Sequence, residues 1–203
     1  MRKIFICLLM TFSSIINISE AAVLTFDDIS ETDRWKYIPD GYGGFEWENA
    51  GISGKYRNPG SGYDNGTVSG EYSAFNPYAK IITVSRQSLF DFTGIYVTSA
   101  FYDFQEIMFT GYSEGAELYQ ATVTAGYSSP VWSDFSFYGI DTLIIETVSD
   151  TDPRTYIDNY FVLDNFTWEE SSAPVPEPST LILLSAGLIT GIAGRRKVRK
   201  FPH

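Results

Sequence analysis

One cysteine and one histidine stand in 203 residues, and neither is in the body of the chain: Cys7 lies near the start and His203 is the last residue. Without imidazole or thiol in residues 22–178, no Ser-His-Asp or Cys-His nucleophilic arrangement can be assembled there. Zinc and copper sites that rely on those ligands are excluded with them. No disulfide can form once the N-terminal segment is gone, so stability has to come from a packed core, with metal ions as the other available aid. Basic residues are scarce as well. Between positions 22 and 178, 24 Asp and Glu face 7 Lys and Arg, a net of −17. That balance argues against nucleic acid and anionic polymers as partners, and suits neutral glycans, cations or plain solubility.

Half of the fourteen basic residues lie in the two ends. Arg2 and Lys3 precede a largely apolar stretch over 4–18, and Ser19-Glu20-Ala21 puts small residues at the two positions a signal peptidase reads. Residues 1–21 are therefore expected to be a secretory signal peptide, handled by the Sec machinery and signal peptidase and removed after Ala21. Cys7 is not a lipidation site, because Ile6 stands where a small residue is needed.

At the other end, residues 171–178 form a Pro-rich linker containing Pro176-Glu177-Pro178, and residues 179–200 are an apolar run followed by Arg195, Arg196, Lys197, Arg199 and Lys200. The uncharged stretch 181–194 covers about 21 Å as a helix, short for a hydrocarbon core of about 30 Å. Flanking Ser179 and Thr180 and the stems of Arg195 and Arg196 extend it. The basic cluster is expected to stop it on the cytoplasmic side of the inner membrane, with the domain facing the periplasm. The tripeptide, the apolar run and the Arg195-Arg196 cluster resemble the PEP-CTERM sorting domain of Gram-negative, exopolysaccharide-producing bacteria, over about residues 173–200. The resemblance implies recognition and cleavage by exosortase, then delivery to the cell surface or matrix. A plain C-terminal anchor is the alternative.

Residues 22–170 are of single-domain size and read as all-β. Strands are expected over 23–29, 80–85, 90–99, 104–112, 117–124, 140–148 and 160–168, rich in Thr, Val, Ile, Tyr and Phe. Turn chemistry separates them at Asn58-Pro59-Gly60, Asp64-Asn65-Gly66, Asn76-Pro77 and Asp152-Pro153. Seven to ten short strands predict a β-sandwich, with a jelly roll as the preferred topology. Residues 40–78, dense in Gly, Tyr and Asn, are expected to be long loops with short strands laid over one edge or end. The opening 24–29 and closing 161–167 resemble the first and last strands of galactose-binding-like jelly rolls, a fold of many carbohydrate-binding modules. That resemblance implies a structural calcium held by acidic residues of those strands, here Asp27, Asp28 and Asp164.

Calcium takes carboxylate and carbonyl oxygens and needs neither His nor Cys. The alternative for these aspartates is to edge their strands and satisfy nearby backbone donors. Among 33 aromatic residues, Phe92, Phe101, Phe104, Phe135 and Phe161 are expected in the core. Trp35, Trp47 and Tyr63 are the candidates for stacking on sugar, since rings flanked by Asn, Asp and Gly offer an apolar face beside hydrogen-bonding groups. The functional expectation is an exported, non-catalytic β-sandwich that binds exopolysaccharide or another glycan. A structural matrix protein without a discrete site, and a two-carboxylate glycan-active enzyme, are the alternatives.

Overall fold

A computed structural model describes residues 21–29, 35–148 and 159–171. The expected signal peptide (1–21, Ala21 apart), most of the linker, the PEP tripeptide and the basic stop lie outside the described residues. Among those described, no helix is long and apolar enough to cross a membrane. Ten strands among the described residues make an all-β sandwich: β1 (Ala22–Leu24), β2 (Lys36–Tyr37), β3 (Glu46–Glu48), β4 (Gly51–Gly54), β5 (Tyr72–Phe75), β6 (Ile82–Ser99), β7 (Gln105–Ser113), β8 (Ala116–Ala125), β9 (Val131–Thr147) and β10 (Phe161–Glu170). One short α-helix among the described residues, α1 (Gly62–Asn65), sits between β4 and β5, and single 3-10 turns lie at Tyr42–Gly44, Lys55–Arg57 and Pro77–Ala79.

The two layers are halves of one bent sheet with the strand order β2-β4-β5-β10-β6-β9-β7-β8; β1 pairs with β10 and β3 with β6. Strands β6 and β9 run through both layers. The start of β6 pairs with β3 and with the end of β9, while its later half pairs with β10 and the start of β9. The bend falls where the β6–β9 register slips three times, between Ser85 and Gly94, as bulges do when they turn a strand. The layers then face each other across phenyl rings. Phe109 of β7 pairs in register with Ile145, yet its ring lies 4.7 Å from Phe135 near the other end of β9. Tyr119 of β8 stacks on Phe137 at 5.1 Å in the same way.

β10 is the middle of this arrangement, with β5 and β1 on one side and β6 on the other. Simple alternation does not describe it. Phe161 and Leu163 enter the main core, and Val162 joins a second cluster with Tyr63, Phe75 and Ala100 on the opposite face. Asn165 then takes a left-handed backbone, φ 54°, the register slips, and the even residues Phe166 and Trp168 enter the main core instead. A two-sided first half and a bulge that exchanges the faces explain why four consecutive residues, 161–164, are buried.

Phe92, Phe135 and Phe161 are buried as expected, but Phe101 and Phe104 are not: they are 41 % and 87 % exposed, on the turn that joins β6 to β7. Phe92 contacts the rings of Phe109, Phe135, Phe137 and Phe166. Phe92→Ala is therefore expected to cost about 3–5 kcal/mol in urea unfolding. Phe104→Ala is expected to stay within about 0.5 kcal/mol of the parent.

Candidate functional site: a ring-lined cleft held by two aspartates

The segment between β4 and β5 closes over one end of β10, and two aspartates hold it there. Asp164, in β10 and fully buried, accepts the Val68 and Ser69 N–H groups on Oδ2 at 2.7 and 2.9 Å and the Asn165 N–H on Oδ1 at 2.7 Å. Asp27, just after β1, accepts the Glu71 and Tyr72 N–H groups on Oδ1 at 2.7 and 3.1 Å. Gly70 bridges the two with a left-handed backbone, φ +53°, where any Cβ would lie about 2 Å from the Asp27 carboxylate. Asp28 does something different: it accepts the Tyr42 hydroxyl at 2.7 Å, while that oxygen accepts the Phe26 N–H at 3.2 Å.

Of the three aspartates proposed for calcium, Asp164 accepts on both oxygens, from backbone N–H groups and the Ser69 hydroxyl, while Asp27 and Asp28 each engage Oδ1. Among the described residues, no group of three or more His, Cys, Asp or Glu side chains could hold a metal ion. The pairing of β1 with β10 does bring Asp27 and Asp164 to one loop, as the first-and-last-strand argument requires.

Beyond this clamp lies a cleft of about 240 Å³ lined by Trp35, Ser53, Arg57, Asn58, Tyr63, Phe75, Phe101 and Tyr160. Its rings form a continuous wall. Trp35 meets Phe75 edge-on at 5.6 Å, Phe75 meets Tyr63 at 5.4 Å, and Tyr63 meets Phe101 at 5.8 Å. Tyr37 and Tyr78 extend the wall outward from Trp35 at 5.1 and 5.9 Å. Helix α1 delivers Tyr63. Ser61 caps it by accepting the Tyr63 N–H, and the Gly62 N–H donates to Ala100 O at 2.8 Å. A Cβ at Gly62 would lie 1.8 Å from the Ser99 carbonyl oxygen, so only glycine permits this approach. Burial raises the Tyr63 phenol well above its ordinary pKa, the nearby Tyr160 adds to the rise, and Arg57 pulls it back.

Two of the three sugar-stacking candidates, Trp35 and Tyr63, meet in this cleft; the third does not. Trp47 is only 5 % exposed, packed against Phe26, Phe45 and Phe166, with its Nε1–H donated to Tyr42 O at 2.9 Å. Its ring is core, because β3 turns it inward beneath the bent end of β6. Tyr63 is also nearly buried, at 6 % exposed, and contributes an edge to the cleft, not an open face. Sequence reasoning passes over Arg57, Phe75 and Tyr160 and assigns Phe101 to the core. Phe101 and Tyr160 adjoin the paired ends of β6 and β10, and no local pattern announces that pairing.

Burial is the main cause that pushes Asp164 up to about 6; the bonds from Ser69, Val68 and Asn165 oppose it, and the charge of Asp27 adds to it. An acid whose folded pKa is raised binds protons better when folded. Its stabilising contribution is present at low pH and is lost as pH rises from about 4 through 6. The advantage in melting temperature of the parent over Asp164→Asn is accordingly expected to narrow between pH 4 and 7. A gap that widens would mean that the N–H bonds outweigh burial. Melting in millimolar calcium and then chelator tests the calcium expectation: a micromolar site at Asp27, Asp28 and Asp164 would add about 4 kcal/mol, and an unchanged midpoint would exclude it.

Residues 174–197 match the PEP-CTERM protein-sorting motif. No curated protein matches the chain significantly. Among solved structures, that of an agarase, AgWH50C, is similar over 74 % of this chain, at 8 % identity and a TM-score of 0.37. The match covers 25 % of the agarase chain and carries no argument about activity. What is shown rests on the tail: the chain bears an exosortase sorting signal and is an exported, membrane-passing protein of a Gram-negative bacterium.

Proposed function

We propose that the domain is a non-catalytic glycan-binding module, delivered to the cell surface or matrix, and that the ring-lined cleft is its sugar site. The observation that carries this is the wall Trp35–Phe75–Tyr63–Phe101 standing beside the hydrogen-bonding groups of Ser53, Asn58, Arg57 and Tyr160. Sugar rings present an apolar face ringed by hydroxyls, and a concave site that pairs aromatic walls with a few polar groups matches both features. The room available suits one pyranose of a longer chain, entering from the side where Phe101 is exposed.

The position of the cleft supports the same function. Tyr160 lies at the start of β10, and the chain leaves at Ser171, whose N–H donates to Leu89 O at the far end. Ten residues of strand separate them, roughly 30 Å. The sorting motif begins just past Ser171 in the sequence, and the cleft opens at the pole opposite that residue.

Phe101→Ala and Trp35→Ala are expected to weaken binding to a retained polysaccharide fragment about tenfold or more, the range of an aromatic anchor. Trp132→Ala, which removes an exposed ring on β9 outside the cleft, is expected to leave binding unchanged. Titration of the full chain in mild detergent, followed by tryptophan fluorescence or calorimetry against a panel of neutral and acidic oligosaccharides, checks this. Equal loss from all three variants, or no binding across the panel, would remove the proposal.

A further inference from the structure

Among the described residues, the cleft holds one cation and no acid. Of the eight described residues that line it, Arg57 alone is charged, in a domain where acids outnumber bases 24 to 7. Its Nη1 is buried and has no hydrogen-bond partner among the described residues. The other unpaired-nitrogen arginine, Arg86, shows what such a group ordinarily finds: an ion pair to Glu170 at 2.7 Å and a seat over the Trp168 ring at 4.5 Å. Arg57 has no such carboxylate among the described residues.

A guanidinium cannot shed its proton, so bonds left unmade by Arg57 are not relieved by neutralisation. The walls around it are rings, a serine and an asparagine, and none of these supplies an anion. The planar fork of arginine matches the two oxygens of a carboxylate. Resting on the assignment of the cleft as a sugar site, we propose that it takes a carboxylate-bearing sugar unit, a uronic acid residue of an acidic polysaccharide, with Arg57 as the partner of its carboxylate.

The acidity of the domain as a whole does not oppose this. Charges farther than about 8 Å are largely screened at physiological ionic strength, so the lining of the cleft sets the local field more than the net charge does. Repulsion by the rest of the surface then favours chains that carry uronate sparsely over densely charged ones.

The test uses the full chain in detergent and paired tetrasaccharides: gluco-, galacto- and mannuronate tetramers, each beside its carboxyl-reduced neutral counterpart. At least one uronate is expected to bind tenfold or more tightly than its reduced partner. Arg57→Gln is expected to erase that difference, and Arg57→Lys, which keeps charge but not the fork, to retain only part of it. Equal or tighter binding of the reduced sugars by the parent protein would overturn the role of Arg57 while leaving the cleft a sugar site. Binding of none of the six would overturn this inference, and the wider oligosaccharide panel then decides separately whether the cleft is a sugar site.

Discussion

A carboxylate buried in the middle of β10 is the constraint on which the functional end of this molecule depends. Asp164 is fully enclosed, and a charge so placed is tolerable only if donors are brought to it. The donors come from Val68 and Ser69, about a hundred residues earlier in the chain. Hydrogen bonds to a charged acceptor are worth about 1.5–3 kcal/mol each, and losing one end leaves the other unsatisfied. The burial of Asp164 therefore fixes where the glycine-rich segment lies. Asp27 continues the clamp two residues further on, and the chain enters β5 with Phe75 facing the cleft. Arg57 and Tyr63 are positioned by the same closed segment, with no disulfide to hold it.

Much of the fold could be read from the sequence because most strands carry their own local pattern. β7, β8 and β10 begin and end within about two residues of the expected limits. What escaped is non-local. The separate strands expected over 80–85 and 90–99 are one, β6, because bulges let a strand bend without ending. The first half of β9 was missed because Gly139 resembles a terminator, whereas it sits inside the strand with φ +65°. The fate of each aromatic was the least legible. Trp47 is core and Phe101 is surface, and only the pairing of β3 with β6 and of β6 with β10 decides that.

The candidate site divides along the same line. Trp35 and Tyr63 drew notice through their polar, glycine-rich surroundings, which are a local property. Arg57 and Tyr160 could not, since they meet only after β10 has been inserted between β5 and β6. Asp164 lies on the last strand, whereas Asp27 and Asp28 lie in the turn just after β1, and the partners of Asp164 and Asp27 are backbone N–H groups that no side-chain motif reveals. Tail and domain divide the labour in turn. The tail carries the sorting signal, and the domain holds a small cleft whose one charge among the described residues is Arg57, in a segment rich in acids.

The central claim is that this cleft, at the pole opposite Ser171, is the surface that meets polysaccharide. Hydrogen–deuterium exchange of the full chain, with and without exopolysaccharide from the producing bacterium, tests it most directly. Protection confined to Trp35, residues 53–63, Phe101 and Tyr160 is the result predicted. Protection along the β8 edge or at the Ser171 pole, or no protection at all, would contradict it.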